Sequence, residues 1–168
     1  IPPSFLLFND GEGRFTDLSE PLPSRPEADG PGMVTDAVWS DLDKNGKPDL
    51  IVVGEWMPIT VLIQDPSGNF VEKTEEYGLS NTHGWWNTIT ASDFDKDGDM
   101  DFVAGNLGTN SRLKASTSEP ITIYVGDMDH NGGTDHLLTY FNQGSQHPFI
   151  SRDQLVKQIP SFRRDFLK

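Results

Sequence analysis

Residues 93–101 read DFDKDGDMD, and two other segments share their pattern D-x-D-x-[DN]-G-x-x-D. Residues 41–49 read DLDKNGKPD, and residues 127–135 read DMDHNGGTD. In chain order these segments are the first, second and third acidic loops. Apolar runs follow them, for example residues 50–53 and 102–104. Short apolar runs bounded by Gly and Asp turns are typical of strands, so the sequence predicts an all-β protein with acidic loops between its strands.

Internal alignments indicate repeated units. Residues 7–15 align with residues 62–70 at an offset of 55, and residues 41–46 align with residues 93–98 at an offset of 52. Four short strands in about 45 residues is the size of one propeller blade. We therefore expect a partial β-propeller of roughly two and a half four-stranded antiparallel blades, with cation-binding hairpin loops and a short C-terminal helix.

These alignments divide the chain into four predicted parts. Residues 1–20 are the last hairpin of an incomplete blade, and residues 33–80 are a blade with the first acidic loop. Residues 85–145 are a blade with the second and third loops, and residues 146–168 are a helical tail. In that tail, Ser151 and Gln154 have the spacing of a capping box that opens a helix.

The third loop follows the second by only 34 residues, which breaks the repeat period. Residues 58–61 align with residues 120–123, and this alignment places the third loop on the second hairpin of the blade at 85–145. The alternative is that the third loop opens a further blade.

The acidic loops contain the oxygen ligands that calcium prefers, six to eight of them at 2.3–2.6 Å. The predicted ligands are Asp41, Asp43, Asn45, the carbonyl of Lys47 and Asp49; Asp93, Asp95, Asp97, the carbonyl of Asp99 and Asp101; and Asp127, Asp129, Asn131, the carbonyl of Gly133 and Asp135. Two carboxylates about 5 Å apart repel by roughly 3 kcal/mol at an effective dielectric of 20, so such clusters favour a bound cation. Ca²⁺ is therefore the expected cofactor.

Other interpretations of the loops are weaker. An EF-hand needs a Glu at loop position 12, where this chain has Val52, Ala104 and Leu138. Magnesium demands octahedral geometry and keeps its waters, and zinc prefers His or Cys. The remaining alternative is that the loops are plain Asp/Asn/Gly turns without an ion. The second loop has five Asp against three in each of the others, so we expect it to bind calcium most tightly.

The composition excludes several function classes. The formal net charge is −13, which repels phosphate backbones and anionic lipid headgroups, so nucleic acid is not expected as a partner. No apolar run approaches the roughly 18 residues of a membrane span, so no direct membrane insertion is expected. The chain has no Cys, which excludes disulfides and a Cys nucleophile. It begins Ile1-Pro2-Pro3 without an initiator Met, and we expect a piece of a longer protein.

Two uncharged segments are weaker binding candidates. Trp85 and Trp86 precede the strand that leads into the second loop, and the pair either stacks on a sugar ring or fills the space between blades. Residues 106–110, NLGTN, are either a binding loop or a plain polar turn.

The first and second loops, with residues 49–54 and 101–105 at their ends, resemble the FG-GAP/VCBS repeat family. That family includes the repeats of integrin α-chain propellers. Residues 9–15 are similar to the family's hairpin before the next blade. The resemblance covers residues 1–145. It implies a β-propeller, calcium in the blade loops, and an extracellular, cell-surface or periplasmic location.

Three further stretches, residues 54–60, 84–86 and 105–108, are similar to large Bacteroidetes VCBS-repeat proteins. Some relatives of those proteins carry an ASPIC/UnbV domain. The resemblance implies an exported bacterial protein that acts in adhesion or scaffolding.

We therefore expect a binding module and not an enzyme. Its expected partners are a protein or a glycan, together with the neighbouring blades of the full-length chain. The alternative function is a segment of a metal-dependent hydrolase or lyase with one Asp cluster as its metal site. A catalytic metal keeps an open coordination position beside a general base, whereas three similar closed loops suit a structural role.

Overall fold

A computed structural model describes residues 4–18, 22–23, 30–108 and 111–167. Within these ranges it contains eleven strands in antiparallel sheets and one short α-helix, which confirms the all-β fold with a short C-terminal helix. The open sheets are consistent with partial propeller repeats. The chain divides into two compact units, Ile1–Gly108 and Thr109–Lys168.

The strands of the first unit are β1 (Leu7–Asn9), β2 (Phe15–Asp17), β3 (Met33–Ser40), β4 (Asp49–Met57), β5 (Thr60–Gln64), β6 (Phe70–Glu72), β7 (Gly84–Ser92) and β8 (Asp101–Asn106). Those of the second unit are β9 (Thr122–Gly126), β10 (Asp135–Asn142) and β11 (Ser145–Pro148), followed by α1 (Arg152–Gln158) and a 3-10 helix (Pro160–Leu167).

Strands β3–β6 form a four-stranded antiparallel meander with the size of one propeller blade. Strand β4 pairs with β3 along almost its whole length, and β4 also pairs with β5 through residues 50–52. Strand β6 pairs with β5. Because β4 has partners on both sides, every residue from 49 to 54 is buried. The continuous apolar run of β4 is what a central strand requires.

The core of the first unit lies on both faces of this sheet. Successive side chains of a strand point to opposite faces. One face buries Leu50, Val52, Met57, Leu62 and Phe70. The other face buries Ile51, Val53, Val61 and Ile89. Side chains of β4 are therefore packed in a hydrophobic cluster on each face of the sheet.

The far end of β4 leaves β5 and pairs with β7. The pairs are Glu55 with Trp85 and Met57 with Gly84, and β7 pairs in turn with β8. Asp36 of β3 also bonds to β7, because its carboxylate accepts hydrogen bonds from the Ile89 N–H at 2.9 Å and the Thr88 hydroxyl at 2.8 Å. These hydrogen bonds, the one from Ile89 first, hold the pKa of Asp36 below its ordinary value.

The β1–β2 hairpin has the predicted strand–turn–strand order but is exposed. Leu7 and Phe15 are 54% and 63% exposed, whereas the aligned Leu62 and Phe70 are 0% and 6% exposed. The difference arises because β5 pairs with β4 and β6 with β5, so the β5–β6 hairpin is part of the four-stranded meander. Residues 1–3 and 19–20 of the predicted terminal hairpin lie outside the described residues.

In the second unit, β10 lies between β9 and β11. The third acidic loop connects β9 to β10, so it is a hairpin loop as expected. Residues 146–148 belong to β11, so the tail segment predicted for residues 146–168 begins with strand residues and not with helix. The boundaries of the predicted blade at 85–145 stay a prediction.

The helix α1 begins where the sequence predicted. The Ser151 hydroxyl accepts from the Gln154 N–H, and the Gln154 side chain accepts from the Ser151 N–H, which completes the capping box. Leu155 and Ile159 are buried, and the Gln158 amide donates to the His136 carbonyl at 2.6 Å. Within the described ranges, the helices are too short or too polar to cross a membrane.

Candidate metal centres

The three acidic loops share one backbone shape. Each loop enters the left-handed region at its fourth and sixth residues. The fourth residues are Lys44, Lys96 and His130, with φ of 59°, 64° and 59°, and the sixth are Gly46, Gly98 and Gly132, with φ of 84°, 96° and 84°. The two left-handed residues direct the side chains and N–H groups of the loop toward the centre of the loop. The sequence repeat is therefore also a structural repeat.

Substitution of Gly132 by alanine should lower the free energy of unfolding by about 1–2 kcal/mol, since a side chain disfavours the left-handed backbone. A Cβ at Gly132 would meet nothing within 4 Å, so the cost is backbone strain and not a clash. Gly126→Ala is the matched control, because that Cβ also meets nothing and its backbone is not left-handed. Urea unfolding in EDTA measures both. Equal effects of the two substitutions would show that the bend imposes no strain.

The first aspartate of each loop binds the loop backbone with both carboxylate oxygens. Each accepts from the N–H groups of loop positions 5 and 6. The distances are 3.0 and 2.9 Å for Asp41, 3.2 and 3.1 Å for Asp93, and 3.0 and 2.9 Å for Asp127. The carboxylate at position 1 is thus oriented before any ion arrives.

The last aspartate of each loop closes it by accepting from the N–H of position 2. The distances are 2.7 Å from Leu42 to Asp49, 2.9 Å from Phe94 to Asp101 and 3.1 Å from Met128 to Asp135. Asp49 is 0% exposed, and it accepts a second hydrogen bond from the Gln64 N–H of β5 at 2.9 Å. Asp49 therefore closes the first loop and also links it by a hydrogen bond to β5.

The third position distinguishes the third loop from the others. Asp43 and Asp95 accept from the N–H of position 5, at 3.1 and 3.2 Å. The Oδ1 atom of Asp129 is buried and has no hydrogen-bond partner within the described ranges. A buried carboxylate oxygen without a partner is costly, and a cation would satisfy it.

In each loop the aspartates at positions 1, 3 and 9 bring one oxygen apiece to within 4.8 Å of one another. The clusters are Asp41, Asp43 and Asp49; Asp93, Asp95 and Asp101; and Asp127, Asp129 and Asp135. Two oxygens that bind one Ca²⁺ from opposite sides are separated by about 5 Å, twice the calcium–oxygen distance. The donor set and its spacing therefore fit a calcium ion.

The side chains at position 5 lie differently, and the predicted carbonyl ligands at position 7 stay a prediction. The side-chain Oδ1 of Asn45, Asp97 and Asn131 accepts from the N–H of position 7 at 2.7, 2.8 and 2.7 Å. Asp97 and Asp99 do not belong to the carboxylate cluster of the second loop. Positions 1, 3 and 9 are thus brought together, while position 5 hydrogen-bonds the loop backbone.

The position 7 side chains of the first and second loops bond outside their own loop. Asp99 forms an ion pair with Lys44 of the first loop at 2.7 Å, and this hydrogen bond raises the pKa of Lys44. The Lys47 ammonium donates to the carbonyls of Asp65 and Pro66 at 3.0 and 2.8 Å. The first loop therefore lies beside both the second loop and the β5–β6 turn. Both partners of the ion pair are exposed, so it adds little stability.

A comparison with known protein families found a match to the part of the chain that repeats an acidic loop followed by a strand. Residues 41–104 match the FG-GAP-like repeat family. The match includes the first and second loops, covers less than half of the chain, and supports the resemblance to FG-GAP repeats. No curated protein and no solved structure matches the chain. The finer resemblance to Bacteroidetes VCBS-repeat and ASPIC/UnbV proteins stays an expectation.

Within the FG-GAP-like segment, Tyr77 lies near the first loop, which the sequence did not predict. Partial burial raises the pKa of its hydroxyl, and the negative charges of Asp49 and Asp43 raise it further. Tyr77 lies outside the repeat pattern, so no sequence signal marks it.

The two neighbouring tryptophans of this segment have separate roles. Trp86 packs against the core cluster around Ile89, and its indole N–H donates to the Thr82 carbonyl at 2.9 Å. Trp85 instead stacks on Trp56, with ring centroids 5.4 Å apart. The Leu107 N–H donates to the Trp85 carbonyl at 2.9 Å, so the start of the polar loop lies beside it. Residues 109–110 of that loop lie outside the described residues.

Proposed function

We propose that this chain is a calcium-binding β-propeller repeat module of an exported bacterial protein, acting outside the cytoplasm in protein or glycan binding or scaffolding. The observation that carries the proposal is the convergence of three aspartate oxygens to within 4.8 Å in each of three loops of the same shape. FG-GAP repeats often bind calcium, and they are typical of extracellular or cell-surface proteins.

The chemistry of the loops favours calcium over other cations. Their donors are hard carboxylate oxygens on irregular loops, which suit the six- to eight-fold coordination of Ca²⁺ better than the strict octahedron of Mg²⁺. Each ion adds two positive charges, so three ions would change the formal net charge from −13 to −7. Calcium would thereby reduce the electrostatic self-repulsion of the folded chain.

The contacts of the loops favour a structural role for the ion. Asp49 joins the first loop to β5, and Lys47 joins it to the β5–β6 turn. An ion held there would fix the end of the meander and the surface beside it. FG-GAP repeats are typically non-catalytic structural modules. Within the described residues, no observation favours the metal-dependent hydrolase or lyase.

The second loop provides the sharpest test of the proposal. Asp95→Ala should abolish the tightest step in a calorimetric calcium titration, because Asp95 belongs to the carboxylate cluster and this loop has the most acid. Asp99→Ala is the matched control, since it removes the same charge from the same loop but lies outside the cluster. An Asp95→Ala isotherm like that of the wild type would contradict the proposal.

A further inference from the structure

Three β-bulges lie in one row across the sheet of the first unit. They interrupt the β3–β4 ladder between Val34 and Asp36, the β4–β7 ladder between Glu55 and Met57, and the β7–β8 ladder between Trp86 and Thr88. The extra residues are Thr35, Trp56 and Asn87. A bulge redirects a side chain out of the regular pleat and is common beside functional sites.

The row lies at the end of the sheet away from the first and second acidic loops. Strand β4 begins in the first loop at Asp49 and reaches Trp56 at its other end. Strand β7 begins next to Trp85 and ends at Ser92, where the second loop starts. The two tryptophans are therefore separated from the first and second acidic loops by the length of the strands.

Trp56 has a strained backbone, with φ of 62°. A bulky residue in the left-handed region is a true outlier, and such strain is concentrated at functional sites. The indole of Trp56 lies against that of Trp85, with centroids 5.4 Å apart and planes tilted by 39°. Both residues are only half-buried, so the pair faces solvent in part.

Polar residues near the pair include Asn87 and Glu55, which pairs with Trp85 in the β4–β7 ladder. The Asn87 amide donates to the Trp85 carbonyl at 3.3 Å. The Asn106 amide nitrogen lies over Gly84, where a Cβ would be only 2.5 Å away, and the Asn106 oxygen accepts from the Gly108 N–H at 3.0 Å. Gly84 thus leaves the space that the Asn106 side chain occupies beside the indole of Trp86, its partner in the β7–β8 ladder.

We propose that Trp56 and Trp85 form a binding site for a pyranose ring of a neutral glycan. This inference rests on the proposed function as a binding module and specifies its partner. Indole faces offer an apolar surface for the C–H face of a sugar, and the neighbouring Asn87 amide offers a donor and an acceptor for its hydroxyls. The net charge of −13 opposes sulfated and uronic-acid glycans, which is why the expected ligand is neutral.

Affinity electrophoresis through gels that contain a mannan, a xylan, a β-glucan or a galactan tests the site. At least one of these neutral polysaccharides should retard the wild-type chain. Trp56→Ala and Trp85→Ala should each weaken that retardation at least tenfold. Trp39→Ala is the matched control, because Trp39 is 49% exposed and packs on Phe70 instead of on the pair. It should run like the wild type.

Trp85→Phe guards against loss of folding in the alanine variants, because it keeps an aromatic ring for packing and stacking. It should remain folded by circular dichroism and retain binding within a few-fold of the wild type. The proposal is overturned if no neutral polysaccharide retards the wild type, if only heparin or pectin does so, or if Trp39→Ala weakens binding as much as Trp85→Ala.

Calcium titration of the same variants separates this inference from the proposed function. Trp85→Ala should bind calcium like the wild type, because the pair is remote from the first and second loops and lies in a different unit of the chain from the third. Calcium binding without polysaccharide binding would reject the glycan site alone. Polysaccharide binding without calcium binding would support the glycan site and reject calcium as the cofactor.

Discussion

Replacement of Asp49 by alanine is expected to lower the free energy of unfolding by about 3 kcal/mol even in EDTA, where no ion is bound. Asp49 is 0% exposed, and its two oxygens accept from the N–H groups of Leu42 at 2.7 Å and Gln64 at 2.9 Å. The substitution leaves both donors without this partner, and each unpaired buried donor costs about 1–3 kcal/mol. The loss is therefore structural and does not require an ion.

Asp43→Ala is the matched control, because Asp43 belongs to the same cluster but is exposed. Urea unfolding of both variants in EDTA should show a large loss for Asp49→Ala and a small one for Asp43→Ala. In saturating calcium, the free energy of unfolding of Asp43→Ala should lie further below that of the wild type than it does in EDTA, since the variant then also lacks an ion ligand. Equal losses for the two variants in EDTA would contradict the assignment of Asp49 as the closing group of the loop.

The acidic loops could be predicted from the sequence because their information is local. The spacing of Asp and Gly within nine residues fixes where the backbone bends, and all three loops show the two left-handed residues that this spacing requires. The capping box at Ser151 was predictable for the same reason, because its two partners are three residues apart. Local hydrogen bonding therefore accounts for the successful predictions.

The pairing of strands was less predictable because it depends on residues far apart in the chain. The apolar run of β4 indicates a central strand. Nothing in that run shows that the strand pairs with β5 at its start and with β7 from Glu55 onward. The stacking of Trp56 on Trp85 follows from that change of partner and from a bulge. The sequence likewise marks Asp36 as an ordinary strand residue, because its hydrogen bonds from Thr88 and Ile89 depend on strand pairing.

The hairpin at residues 7–17 shows the limit of repeat alignment. Its sequence matches that of the β5–β6 hairpin, yet Leu7 is exposed where Leu62 is buried. Burial depends on the strand that lies alongside, which the pattern of a single hairpin does not encode.

Removal of calcium should have the largest effect of any treatment. A ligand that binds only the folded state at a hundred times its dissociation constant adds about 2.7 kcal/mol per site. Three independent sites would add about 8 kcal/mol. Chelation should also restore the repulsion among the three carboxylates of each cluster, which lie within 4.8 Å of one another. The unfolding midpoint should therefore fall steeply in EDTA.

The central claim is that the carboxylates at positions 1, 3 and 9 hold calcium, and urea unfolding in calcium and in EDTA tests it most directly. The comparison uses the wild type and the triple variant Asp43→Ala, Asp95→Ala, Asp129→Ala, which removes one cluster member from each loop. The wild type should be several kcal/mol more stable in calcium than in EDTA, and the triple variant should respond little to calcium. A wild-type midpoint that is the same in calcium and in EDTA would contradict the account.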